Sequence, residues 1–311
     1  MEPITLTSPD QHHIQAYVWQ ATQPKAWVHI NHGMAEHALR YERLAMELVS
    51  QGYSVVAHNH RGHGSSDTTI LGLYATENGW NKVLDDITVV REAVCDSDLP
   101  YFLMGHSMGS FIVQSYLLNH DIHIDGLILS GSNYQGTGLI KAGALVAKLE
   151  SMRLGKTHVS RLIQFLSFGA FNKPFKPHRT DFEWLSRDPK EVDKYVADPL
   201  CGFDCSISLW QDMFAGLVQL FSKGALHGVQ EHLPMFIFGG DKDPVGQNGK
   251  GLPALKKAYE AVGQKHIDFK LYKDGRHEML NETNRDEVMG DICNWVNTQM
   301  LQLSGHESKA M

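Results

Sequence analysis

The sequence predicts an α/β fold, a mostly parallel sheet with helices on both faces and one helical insertion. Three observations carry this. Short apolar runs of strand length alternate with longer runs of helical periodicity, the pattern of parallel strands joined by crossover helices. The alternation stops between residues 133 and 232 and then resumes. A serine flanked by glycines, in Gly105-His106-Ser107-Met108-Gly109, stands between a strand-like run and a helix-like run. The length of 311 residues suits one large domain with an insertion, or two small domains.

The elements follow in order. Residues 13–20 and 26–31 read as the first strands, and a helix over about 40–51 leads to a strand at 53–58. A helix at 80–94 carries Val83, Ile87, Val90 and Val94 on one stripe. Tyr101-Phe102-Leu103-Met104 is a short buried strand, and residues 110–118 form the apolar helix beyond the serine. The next strand is 125–130. After the insertion come a strand at 234–239, a helix at about 252–262, a strand at 267–272 and a helix at about 285–300. These boundaries divide the chain into a core of residues 1–132 and 233–303, a helical cap of 133–232, and a disordered tail of 304–311.

Composition excludes several classes. A hydrophobic content of 42% with 20% charged residues is that of a soluble globular protein. The net charge of −7 gives no electrostatic footprint for nucleic acid. No run reaches the length of a membrane span, and the opening residues show neither a basic nor an apolar leader region. Cys95, Cys201, Cys205 and Cys293 have no metal spacing and no disulfide framework, so free thiols in the cytoplasm are expected.

The serine motif supplies the chemistry. A serine on a sharp strand-to-helix turn is the nucleophile elbow of an α/β-hydrolase. The flanking glycines are expected because the turn leaves no room for Cβ atoms or requires positive φ. A serine hydroxyl needs a base, and the base needs an orienting group; in this fold the chain order is Ser, acid, His. Two aspartates compete for the acid, Asp241 and Asp243. Asp243 is favoured because Pro244 restricts its backbone and removes a local N–H that would capture the carboxylate. His277 follows the last strand on a Gly-containing loop and is the expected base; His266 reads as an exposed strand residue, and His306 lies in the tail. The oxyanion donors should be the backbone N–H groups of Met108 and of Met34, in the loop after an early strand.

Together these motifs resemble the monoacylglycerol lipase and bacterial lysophospholipase group of α/β-hydrolases. The resemblance rests on residues 32–41 (HGMAEHALRY), 61–66 (RGHGSS), 105–109, 243–246 (DPVG) and 275–278 (GRHE), in the family's order. It covers most of the chain and is weakest in the cap. It implies an eight-stranded, mostly parallel sheet with a cap, a nucleophile at Ser107, an acid at Asp243, a base at His277, oxyanion donors at Met34 and Met108, and no cofactor. Asn59 departs from the aspartate the family often carries there, at a position expected to be structural.

The expected activity is cleavage of a single-chain lipid ester, a monoacylglycerol or a lysophospholipid. Short-chain carboxylesterase, thioesterase and peptidase activity share the same triad. Two remote readings are a non-catalytic binding module and a zinc hydrolase using His58, His60 and His63. In the cap, Leu139, Ala142, Val146 and Leu149 fall on one stripe, and Ile163, Phe165, Leu166, Phe168 and Phe171 form a second apolar cluster. Leu139, Val146, Phe165 and Phe168 are the candidate acyl-chain contacts. Residues 137–187 carry nine Lys or Arg against three acids, a net +6. A basic, apolar-striped cap could rest peripherally on an anionic membrane or hold a lysolipid phosphate. Nothing in the sequence fixes an oligomeric state.

Overall fold

The computed structural model of the chain describes residues 1–65 and 70–310, residues 306–310 by their backbone alone. Ser66, which closes the Arg-Gly-His-Gly motif, and Met311 lie outside the described residues. The strands are β1 (Glu2–Thr7), β2 (His13–Trp19), β3 (Trp27–Asn31), β4 (Ser54–His58), β5 (Tyr101–His106), β6 (Gly126–Ser130), β7 (Met235–Gly240) and β8 (Ile267–Tyr272). They form one sheet in the order β1-β2-β4-β3-β5-β6-β7-β8. β2 pairs antiparallel with β1 and β4, and all other neighbours are parallel.

Helices α1 (Glu42–Ser50), α2 (Gly79–Val94), α3 (Met108–Asn119) and α8 (Gly251–Ala261) connect strands, and α9 (Arg285–Ala310) follows β8. Alternating side chains of the central strands go to opposite faces. Leu103 of β5 packs with Ile87 of α2 and Ile112 of α3; its neighbours Phe102 and Met104 pack with Leu44 of α1 and Ile292 of α9. Because both faces are covered, β3 through β7 are buried at every residue, which is why they read as continuous apolar runs.

Between β6 and β7 the chain forms α4 (Thr137–Leu154), α5 (Arg161–Ser167), α6 (Pro189–Ala197) and α7 (Ile207–Leu220). α4 buries Ile140, Ala147 and Glu150. The stripe seen in the sequence lies elsewhere: Leu139 is 70% and Leu149 56% exposed. α7 buries Leu209, Trp210, Met213 and Leu217 against the core.

Three expectations change. β1 is an added edge strand whose alternation is short, with only Ile4 and Leu6 turned inward. The helix expected from residue 40 begins as a 3-10 turn, Ala38–Tyr41, before α1. The tail expected to be disordered continues α9 to Ala310; residues 304–310 contain no proline, so no residue interrupts the helical hydrogen bonding.

Candidate active site

The site lies at the carboxyl ends of the parallel strands. β5 ends at His106 and α3 begins at Met108, so Ser107 alone makes the turn, with φ 51° and ψ −120°. Positive φ is uncommon for any residue with a Cβ. The strain falls on the serine itself; the flanking glycines serve close approach instead. A Cβ on Gly109 would collide with the carbonyl oxygen of Asn31 in β3, and one on Gly105 with that of Gly109. We expect Gly109→Ala to push α3 off β3, destabilising the protein by about 2 kcal/mol or more; a thermal melt within a degree of wild type would contradict this.

His277 and Asp243 meet. His277 Nδ1 is 2.9 Å from Asp243 Oδ2, and both side chains are buried. The other carboxylate oxygen accepts the Val245 N–H at 2.8 Å. Pro244 therefore does not leave the carboxylate without a backbone donor, because the following residue supplies one. Asp241 instead faces Lys242 at 3.6 Å. Burial pulls the His277 imidazole down, but the Asp243 carboxylate, joined by Glu278 and Glu36, overcomes this and shifts it upward. From the insertion, Trp184 lies against His277 with ring centroids 5.2 Å apart, and its carbonyl accepts the His277 N–H.

Ser107, His277, Met34 and Met108 line a common cavity of about 490 Å³, a volume usual for small-molecule sites. Met108 is the first residue of α3, so its N–H belongs to the turn that lacks a helical acceptor. The Gly33–Met34 loop passes over the serine: a Cβ on Gly33 would lie 3.3 Å from the Cβ of Ser107. His106 also lines the cavity; burial, then the nearby His277, lowers its pKa to about 4.

Of the acyl-chain candidates, Leu139, Val146 and Phe168 line the cavity and Phe165 does not. Phe165 follows the buried Ile163 by two residues on α5, which turns it to the opposite side, where it is 64% exposed. The sequence did not single out Phe111, Trp210, Met213 or Phe214, which also line the cavity. Phe111 lies in a helix that reads as apolar core, and the helix carrying the other three, α7, is not delimited within the insertion by the sequence; only the fold turns these side chains toward Ser107.

The zinc reading meets different geometry. His58 Nδ1 pairs with His29 Nε2 at 2.9 Å, and His63 Nδ1 donates to the Arg61 carbonyl at 3.0 Å. His58 and His60 meet ring to ring with centroids 4.9 Å apart, but the three do not form a group with converging ligand atoms. Among the described residues His37, Asp198 and Cys201 do approach one another, within 4.8 Å. There His37 and Asp198 already share a 2.8 Å hydrogen bond, and burial pushes the Cys201 thiol well above its ordinary value, away from the thiolate a metal requires. Asn59 Oδ1 accepts the Ala38 N–H at 3.0 Å, a bond an aspartate would also make.

Residues 22–284 match the family Hydrolase_4, described as serine aminopeptidase, S33. The monoacylglycerol lipase of Mycolicibacterium smegmatis is 28% identical over 285 residues, covering 90% of this chain and 91% of its own. The monoglyceride lipase of Homo sapiens is 30% identical over 303 residues, covering 94% of this chain and 89% of its own. Among solved structures, a highly thermostable carboxyl esterase from Bacillus coagulans in complex with glycerol aligns with a TM-score of 0.87 at 27% identity, covering 96% of this chain and 98% of that one.

Proposed function

The chain belongs to the Hydrolase_4 family and is a carboxylic ester hydrolase, and from that premise we propose that it cleaves monoacylglycerols through an acyl-enzyme on Ser107. The observation that carries this is the cavity beside Ser107, walled largely by apolar side chains of α4, α5 and α7, with Glu36, His106, His277 and Glu278 at its catalytic end and Asn133, Gln135 and Ser167 as further polar lining. An acyl chain lies against Leu139, Val146 and Phe168. Ser107 Oγ attacks the ester carbonyl while His277 takes the proton; the N–H groups of Met34 and Met108 hold the oxyanion. His277 then protonates the departing alcohol, and water repeats the sequence on the acyl-enzyme. Asp243 holds the imidazole in the tautomer that presents Nε2 to the serine.

The polar end favours a neutral head group. Glu36 and Glu278 bring two carboxylates and Arg40 one guanidinium, an excess negative charge that opposes a phosphate. Glycerol esters therefore rank above lysophospholipids. The test is hydrolysis of monoacylglycerol, lysophosphatidylcholine and a short p-nitrophenyl ester. Faster turnover of lysophosphatidylcholine would reverse the ranking, and no turnover of any of them would remove the lipid-ester reading in favour of thioesters or amides.

Residues 133–232 act in this reading as a cap that docks on lipid. Leu145, Leu149 and Met152 of α4 and Leu162, Phe165 and Leu166 of α5 are exposed apolar side chains, within the part of the cap, residues 137–187, that carries a net charge of +6. Apolar insertion and attraction to anionic head groups would then act together. The protein should sediment with vesicles containing phosphatidylserine severalfold more than with phosphatidylcholine alone, and Phe165→Glu should weaken both. Equal, weak sedimentation with the two lipids would sink the docking. Among the described residues no helix is long and apolar enough to cross a membrane.

A further inference from the structure

A buried ion cluster joins the loop after β3 to the loop after β8. Glu36 Oε1 accepts the Gly33 N–H at 2.6 Å and the Tyr41 hydroxyl at 2.9 Å; Glu36 Oε2 accepts from Arg40 at 2.6 Å. The Arg40 fork closes on Glu278 through two bonds of 2.6 and 2.7 Å. Glu36 is 3% and Glu278 6% exposed. Each end of this chain of contacts reaches the reaction centre. Gly33 immediately precedes Met34, and Glu278 immediately follows His277.

We propose that Arg40, held between Glu36 and Glu278, is a positioning residue that locks the Gly33–Met34 oxyanion loop onto the loop carrying His277. The proposal rests on the reading of Ser107 and His277 as nucleophile and base. Three considerations support it. Burying two carboxylates and a guanidinium costs several kcal/mol per ion before pairing repays it, and apolar residues of the same volume are often at least as stable. A stability role alone is therefore a weak reason for the cluster. The oxyanion loop also needs outside support, since Ala35 sits at φ 54°, a left-handed conformation that alanine holds only under constraint. Finally, the insertion braces the same point. The Arg40 guanidinium lies 4.8 Å from the Tyr195 ring centroid, and the Tyr195 hydroxyl donates to the Ala35 carbonyl at 2.9 Å. The guanidinium is suited to this position because its planar fork meets two carboxylates at once, which a lysine ammonium does not do.

The test uses Arg40→Met, which keeps the apolar stem, beside Arg40→Lys, wild type and Ser107→Ala. Steady-state ester hydrolysis is paired with the affinity of an alkylboronic acid, which forms a tetrahedral adduct with a serine nucleophile. For Arg40→Met we expect kcat to fall about 10- to 100-fold, the range for a misplaced oxyanion donor. KM should stay within about twofold, and boronate affinity should fall by a factor similar to kcat. Arg40→Lys should lie between, and it carries the same comparison if Arg40→Met does not fold. Loss confined to KM, or boronate affinity equal to wild type, overturns the positioning role. If hydrolysis and boronate binding survive Ser107→Ala, the reading of the site itself fails, whatever the Arg40 variants do.

Discussion

Ser107→Ala is expected to lower turnover of a monoacylglycerol by about 10⁴- to 10⁶-fold without unfolding the protein. In the proposed mechanism the hydroxyl is the group that bonds to the acyl carbon, so no neighbour can replace it. Residual activity would come only from the oxyanion donors and from binding, acting on a water molecule. The backbone tolerates the change because alanine at φ 51° meets the same strain as serine. Ser107→Gly relieves that strain, so it should be equally inactive yet melt at or above wild type. Hydrolysis rates, fluorophosphonate labelling and thermal melting decide the matter together. A Ser107→Ala protein that still labels and turns over would move the nucleophile elsewhere.

The second large effect is loss of the fold in mild acid. His29, His32, His58, His60 and His63 are fully buried. They pack on one another, with His32 4.3 Å from His60 and 5.3 Å from His63, and His58 4.9 Å from His60, centroid to centroid. Burial, reinforced by their neighbours, holds His29, His32 and His60 well below the ordinary imidazole value; it lowers His58 to about 3 and His63 to about 4. The facing groups include His12 beside His58, Arg91 beside His29, and Glu36, which favours protonation of His63. The unfolded chain takes up protons near pH 6.5 and the folded chain does not. Stability is therefore full above pH 6.5 and falls as pH drops toward the folded pKa values. Each such histidine loses about 1.4 kcal/mol per pH unit in that window. Five together can consume the roughly 5–15 kcal/mol of a typical protein within about two units. We expect the melting temperature to fall steeply below pH 6, with unfolding near pH 5. Neither ring nitrogen of His60 has a hydrogen-bond partner among the described residues, so His60→Leu should flatten the fall by about one proton. A melting temperature unchanged down to pH 4 would refute this account.

The parallel strands were legible because burial on both faces writes them as unbroken apolar runs, and Ser107 because its turn needs glycines at fixed offsets. The sequence favours Asp243 over Asp241 on the grounds that Pro244 restricts its backbone and removes an N–H; the Val245 N–H takes that place on the carboxylate, and the structure brings Asp243 and His277 together. What escaped was set by direction rather than composition. Phe165 and Phe168 are the same residue type three positions apart, yet only Phe168 lines the cavity. Leu139 and Leu149 belong to one stripe, and only Leu139 lines it. The partners of Glu36 lie in the motif as printed, but its bridge through Arg40 to Glu278 spans 238 residues, a contact that local sequence does not encode.

The short stretch 184–187 gives the insertion two halves with different duties. Trp184 and Leu185 accept the backbone N–H groups of His277 and Glu278, the Arg276 guanidinium donates to the carbonyls of Glu183 and Ser186, and Arg187 pairs with Glu282 at 2.8 Å. This half is moored to the loop that carries His277, whereas α4 and α5 present much of their surface outward. For an engineer, the insertion is therefore not one exchangeable module. An exchange of α4 and α5 is expected to leave the His277 loop in place only if the graft rejoins the chain before Glu183, because the residues from there on hold that loop.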